Sequence, residues 1–511
     1  MAEVHSGNAR KRAIVIGAGI GGLTAGALLA RRGYSVSIFD QAIVPGGCAS
    51  TFRRRGFTFD VGATQVAGLE PGGIHHRIFS ELQIDLPEAT PCDPACAVFL
   101  PGETEPVSIW RDPEKWRLER QRQFPGSEPF WQLMGTLFDA SWRFQSRDPV
   151  LPPRHIWDII QLAKAFRPDT LITLPFTFLT VGNLLKLYGL DRDRRLKTFL
   201  DLQLKLYSQV NTDETALLYA ATALGVSQEP QGLYHLQGSM QVLSDRLVES
   251  LERDGGTLRM RHTVEAIATE NGKAVAVTIR DQKNGKTWRE TADVIIGNLT
   301  VQNVVKLLGE KDNISPNIGD RIYRHRIENL PPASGAFVVY LGVDESAIPP
   351  GCPPHLQFLY DYDGPIAENN SLFVSVSKPG DGRAPDGKAT ITASSFTDTE
   401  KWWNCEDYEQ LKEQYTKDAI ARLGSYFHLT PETIVHREAA TPRTFARYTA
   451  RDRGVVGGVG QRISTFGPFG FANRTPVDGL WLVGDCTHPG EGTAGVSYSA
   501  WTVVRQLEAC Q

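Results

Sequence analysis

The chain offers no stretch of 18 clean apolar residues, so no transmembrane helix is expected. Its first residues, Met1 to Arg12, lack the apolar segment of a secretory signal, so export is not expected either. There is no long basic run. The net charge is −4, and the clusters Arg31-Arg32 and Arg53-Arg54-Arg55 are short, which excludes nucleic acid as an expected partner. The seven cysteines are odd in number and scattered; only Cys92 and Cys96 lie close, without histidines at metal-ligand spacing. That pattern predicts reduced thiols facing a cytosol, no disulfide framework and no metal site. No internal repeat or low-complexity tract is found, which argues against a solenoid. What remains, 511 residues with 41% apolar and 22% charged content, is a globular chain of two or three domains.

What is present begins at Ala13. Ala13 to Ile16 is an apolar, partly β-branched run, as a buried parallel strand requires. Gly17, Gly19 and Gly22 follow in a G-x-G-x-x-G spacing that opens a helix. Gly17 allows a sharp turn, Gly19 allows backbone N–H groups to approach a pyrophosphate, and Gly22 allows close helix–strand packing. The phosphates then sit where free N–H groups and the helix dipole favour negative charge. Val36 to Phe39 reads as a second strand. Asp40 ends it, 18 residues past Gly22, where a carboxylate can accept both ribose hydroxyls.

Two further motifs qualify the dinucleotide. Pro45-Gly46-Gly47 puts a second glycine pair six residues past Asp40. This resembles the FAD-binding amine oxidase and carotenoid desaturase superfamily. Many of its members carry arginine after the pair, reaching a phosphate. Here Cys48 stands there, so that contact is absent or is made by backbone and Ser50. Near the C-terminus, Val477 to Asp485 reads as a turn, an apolar strand and Gly-Asp, and Gly492-Thr493-Ala494 opens a helix to about Leu507. By the same resemblance, Asp485 binds the ribityl chain or an adjacent phosphate. The helix at Thr493 and Ala494 aims its amides at flavin N1 and the C2 carbonyl, where reduced flavin gathers negative charge.

The expected fold class is α/β: a discontinuous Rossmann-type FAD-binding domain, a mixed-sheet substrate domain and a helical lid or membrane-contact region. The first is placed at 10–80, 232–300 and 440–511, the mainly helical region at 81–231, and the substrate domain at 301–439. Within the second FAD segment, Gly238 to Leu251 reads as a helix, Thr257 to Val264 as a strand, and Glu265 to Ile279 as a hairpin turning at Asn271-Gly272. Thr291 to Asn298 reads as another buried strand. The resemblance implies that Val264 contacts adenine through its backbone. Ile156 to Leu190 mixes apolar and basic residues and is broken by Pro168 and Pro175. It reads either as a buried helix pair or as an interfacial segment with Lys164 and Arg167 near lipid headgroups.

Together, Pro45 to Thr64 and Gly484 to Ser497 resemble the carotenoid desaturase and isomerase family, nearly end to end. Gly490-Glu-Gly-Thr-Ala-Gly-Val-Ser-Tyr-Ser-Ala500 looks like bacterial carotenoid 3',4'-desaturases acting on acyclic or monocyclic substrates. The resemblance implies FAD as cofactor, a carotenoid substrate, contact with a lipid bilayer surface at the cytoplasmic face, and oxygen or a quinone as electron acceptor. Flavin would do the hard chemistry while the protein supplies orientation and a dry tunnel. No hydrolytic triad is therefore expected. His488 and Glu491 are candidate catalytic groups because they lie near the expected flavin end; Phe466, Phe469, Phe471 and Tyr498 could line a tunnel. A redox-neutral isomerase using reduced FAD is the alternative. A flavin amine oxidase is a second one, although no aromatic cage for an amine is evident.

Overall fold

Ala13 to Ile16 alternates between two cores, which explains why the run is apolar throughout. In the computed structural model, which describes residues 10–309 and 318–510, Arg12–Ile16 is the middle strand of a five-stranded parallel sheet. The order is Leu480–Leu482, Val294–Gly297, Arg12–Ile16, Ser35–Asp40 and Thr257–Met260. Ala13 and Val15 face a core shared with the helices Ile20–Arg31, Gln241–Arg253 and Thr493–Glu508. Ile14 and Ile16 face the opposite core, with Val264, Ile279 and Val304. Each such side chain, fully buried, contributes roughly 1.5–3 kcal/mol. Residues 1–9, on which most of the signal-peptide expectation rests, lie outside the described residues, as do 310–317 and 511.

The expected strand from Thr257 to Val264 is cut at Arg261, whose φ is 62°. Thr257–Met260 edges the parallel sheet, and His262–Glu270 leaves it to start a three-stranded antiparallel sheet with Lys273–Asp281 and Thr287–Thr291. The hairpin turns at Asn271-Gly272, with Glu270 paired to Lys273 and both turn residues at positive φ, as a two-residue turn of this kind requires. The expected strand from Thr291 to Asn298 is likewise two pieces, the end of Thr287–Thr291 and the separate strand Val294–Gly297.

A second, mixed sheet has seven strands: Ile434–Ala440, Gly335–Asp344, Lys388–Thr397, Ser371–Val376, His355–Leu359, Cys96–Phe99 and Val107–Ile109. One pair is parallel, His355–Leu359 with Cys96–Phe99. Helix Tyr408–Leu423 covers one face through Tyr415, Ala419 and Leu423. The last two strands come from the span 81–231, which is otherwise mostly helical, so sheet and helical region share one continuous stretch of chain. The helices of that span enclose a core that includes Trp116, Trp131, Phe199 and Leu217.

Candidate cofactor and active site

The two glycine motifs meet. Gly46 N–H donates to the Ala18 carbonyl at 2.8 Å, and a Cβ on Gly47 would lie 3.3 Å from Gly19 Cα. Behind them stands Asn298, at the end of strand Val294–Gly297. A Cβ on Gly19 would fall 2.7 Å from Asn298 Nδ2, one on Gly21 2.9 Å from Oδ1, and one on Gly484 3.0 Å from Oδ1. One asparagine thus holds three glycines bare, drawn from both ends of the chain. Gly22 has another reason to lack a side chain, since its Cβ would sit 2.0 Å from the Gly17 carbonyl oxygen.

Two helices point uncapped N-termini into this cleft. Ile20–Arg31 starts from Gly19 and Thr493–Glu508 from Gly492, and neither N-cap carries a side-chain hydrogen bond. First-turn amides without internal partners favour an anion or an electron-rich ring edge. Among the expected residues, Gly17, Gly19, Asp40, Gly46, Gly47, Val264, Asp485, Glu491 and Thr493 line the cleft. Gly22 and Ala494 are not among its lining residues. Gly22 packs the turn, and the Ala494 methyl faces Gly68.

Asp40 accepts the Ala18 N–H at 2.6 Å and the Ala42 N–H at 2.7 Å, one on each oxygen. Burial pushes its carboxyl up while these two amides pull it down. Each oxygen keeps a lone pair for a further donor. Asp485 is ion-paired with Arg451, a residue the sequence reading missed; Arg451 also donates to the Gly457 carbonyl at 2.6 Å and lines the cleft. Arg451 acts electrostatically on Cys48 as well. It follows helix Pro442–Thr449, remote in sequence from either glycine motif, so no local spacing announces it.

His488 does not join the cleft. Its Nε2–H donates to Gln145 Oε1 at 2.9 Å, and its ring lies 6.1 Å from Phe466 and 6.3 Å from Tyr498. Burial lowers its pKa to about 4, so the ring is neutral. Phe466 also meets Tyr219, and Phe469 meets Phe178 at the surface, whereas Phe471 is plain core.

The segment Ile156 to Tyr188 is a helix, Ile156–Ala165, then a 3-10 stretch, Pro168–Phe176, then a helix, Val181–Leu187. Ten of the eighteen large apolar residues that stand exposed among the described residues fall here, among them Ile159, Ile160, Leu171 and Phe178. Phe176 is partly buried against the helical core. Lys164 and Arg167 are exposed. Among the described residues, no helix is long and apolar enough to cross a membrane, and no group of three or more His, Cys, Asp or Glu is arranged to hold a metal ion.

The cradle kept clear by bare glycines, the two open helix N-termini and the Asp40 lone pairs fit a dinucleotide. Residues 15–82 match the family described as NAD(P)-binding Rossmann-like domain. A solved oxidoreductase from Methanosarcina mazei shares the fold, with a TM-score of 0.63, 18% identity, and coverage of 97% of this chain and 100% of that one. The Rossmann-type fold and the cleft fit an FAD-dependent oxidoreductase. Prolycopene isomerase of Daucus carota is 28% identical over 97% of this chain and 80% of its own length. A phytoene desaturase (neurosporene-forming) of Rhodobacter capsulatus is 26% identical over 97% of this chain and 94% of its own. Over 97% of its length the chain is thus similar to a carotenoid isomerase and to a carotenoid desaturase.

Proposed function

We propose that the protein binds FAD in this cleft and desaturates an acyclic or monocyclic carotenoid at the 3',4' position. Asp40 takes the ribose, Gly17, Gly19, Gly46 and Gly47 admit the pyrophosphate, Val264 meets adenine, and Asp485 and Thr493 hold the flavin end. Bound FAD supplies the two-electron acceptor. The chain's own residues orient the polyene, exclude water and take up a proton, and oxygen or a quinone would be the final electron acceptor. The observation that carries a lipid-soluble substrate is the exposed apolar segment from Ile156 to Tyr188, joined to Phe469 through Phe178. A patch of this kind on an otherwise polar surface marks an interaction site. We assign it to peripheral contact with the cytoplasmic face of a bilayer, Lys164 and Arg167 meeting anionic headgroups.

A second reading, cis–trans isomerisation with reduced FAD, is favoured by the 28% identity to prolycopene isomerase. One experiment separates the two. FAD-loaded protein is incubated with acyclic and monocyclic carotenoids and the absorption spectrum is followed. Desaturation lengthens conjugation and shifts the spectrum to the red; isomerisation leaves the conjugation length unchanged. An unchanged conjugation length with converted isomers would replace the desaturase reading with the second.

A further inference from the structure

A second cavity abuts the cleft. Lys205, Gln209, Asn211, Glu214, Gly458 and Arg462 are among its lining residues. A side-chain hydrogen bond joins the linings of the two spaces. Gln209 lines the second cavity, Glu491 lines the cleft, and Gln209 Nε2 donates to Glu491 Oε2 at 3.0 Å. Gly457 keeps the space for this bond. Its φ is 71°, and a Cβ there would lie 2.5 Å from Gln209 Nε2 and 2.6 Å from Glu491 Oε2. Gln209 itself sits in the left-handed region, at φ 67°, with Lys205 Nζ donating to its carbonyl at 2.8 Å. A non-glycine residue held there needs its surroundings to fix it.

The pair is short of donors. Gln209 Oε1 and Glu491 Oε1 are both buried and accept nothing. A buried acceptor without a donor is costly, and a proton on the carboxyl supplies one. The charged and titratable groups facing Glu491 are Asp485 and Arg451 in the cleft, Lys205 from helix Arg194–Ser208 and Tyr219 from helix Leu217–Gly225.

We propose that Glu491 is the proton-carrying residue of the cleft, and that the Gln209 hydrogen bond links it to the second cavity, where its proton exchanges with solvent. The proposal rests on the flavin desaturase reading and names its base. Two hydrogens leave adjacent carbons of the substrate. One leaves as hydride, with its electron pair, to bound FAD, the two-electron oxidant. The other leaves as a proton: its C–H bond breaks, that electron pair becomes the second bond of the new C=C, and an O–H bond forms on the Glu491 carboxylate. Burial and the Asp485 charge push the carboxyl up to about 8, against the pull of Gln209, the Gly458 N–H and Arg451. A base works best when its pKa lies near the working pH. Only the ionised fraction accepts a proton, so turnover rises with pH and levels off above about 8.

The test uses FAD-loaded wild type, Glu491→Gln and Gln209→Leu. Infrared absorption of the protonated carboxyl C=O is followed from neutral to alkaline pH. A band lost with a midpoint near 8 in wild type, absent in Glu491→Gln and shifted to a higher midpoint in Gln209→Leu, supports the assignment. Flavin bleaching by carotenoid in a single turnover should follow the same midpoint. In Glu491→Gln it should slow by about 10²–10⁴-fold and lose its pH dependence. No band in wild type, a band that survives in Glu491→Gln, or bleaching by Glu491→Gln at the wild-type rate overturns the role of Glu491. An unmoved midpoint in Gln209→Leu overturns the role of that hydrogen bond. Loaded wild type that never bleaches refutes the desaturase reading instead, and the infrared titration still decides Glu491.

Discussion

Two apolar-rich regions of this molecule meet opposite fates. The run Ala13 to Ile16 is covered on both faces, by three helices on one side and by the three-stranded sheet on the other. The run Ile156 to Tyr188 has a covering layer on one side only, so residues such as Phe176 pack inward while Ile159, Ile160, Leu171 and Phe178 face out. Apolar content alone therefore does not say where the core lies. What decides is whether the chain supplies a second layer, and in the second region we assign that layer to lipid.

Substitutions should treat the two regions differently, and the largest effect is expected in the first. Gly22→Ala drives a methyl against the backbone oxygen of Gly17, which no side-chain rotation relieves. Overpacking of this kind costs about 1–3 kcal/mol, and here the upper end is expected, read as a drop in thermal midpoint together with loss of bound flavin. Asp40→Ala should weaken FAD binding by about 1.5–3 kcal/mol, the typical worth of hydrogen bonds to a charged group. A titration returning wild-type affinity would remove Asp40 from the site.

Arg451→Ala should also weaken FAD, by a comparable amount, because a cation next to a phosphate-binding loop forms charge-assisted bonds. Adding Cys48→Arg in the same chain should recover part of the loss, since Cys48 lies within the electrostatic reach of Arg451. No recovery would mean that Arg451 serves only to hold Asp485. The smallest effect on folding is expected from Ile159, Ile160, Leu171 and Phe178 changed together to serine. Exposed substitutions each stay within about 0.5 kcal/mol, so the thermal midpoint should hold while flotation with anionic liposomes is lost. Equal flotation of wild type and variant would break the comparison, because the exposed face would then have some other partner.

Much of the fold was legible because it rests on local signals. The strand Arg12–Ile16, the turn at Asn271-Gly272 and the helix opening at Thr493 follow from apolar runs and glycine placement. The misses are non-local. Arg261 breaks an evenly apolar and polar stretch because two sheets compete for it, and nothing in the stretch itself records the competition. Cys96–Phe99 is a short strand whose partner, His355–Leu359, lies far along the chain, and Val107–Ile109 joins the sheet only by pairing with it. Gly17, Gly19 and Asp40 were read from spacing and Asp485 from the family resemblance, and all four line the cleft, whereas Arg451 and Asn298 act through tertiary contact alone. His488 was read by its nearness in sequence to the flavin motif, but it faces Gln145 across the helical region.

Asn298 also makes distant positions answerable to one another. Gly19 and Gly21 near one terminus and Gly484 near the other are each held bare by the same side chain. Shortening Asn298 to glycine should therefore make Gly21→Ala tolerable where it was not before, so that the pair of changes is milder than the sum of its members. Gly19 and Gly21 would then be expected to vary only with position 298, whereas Gly484, at φ 112°, would stay glycine for its backbone as well.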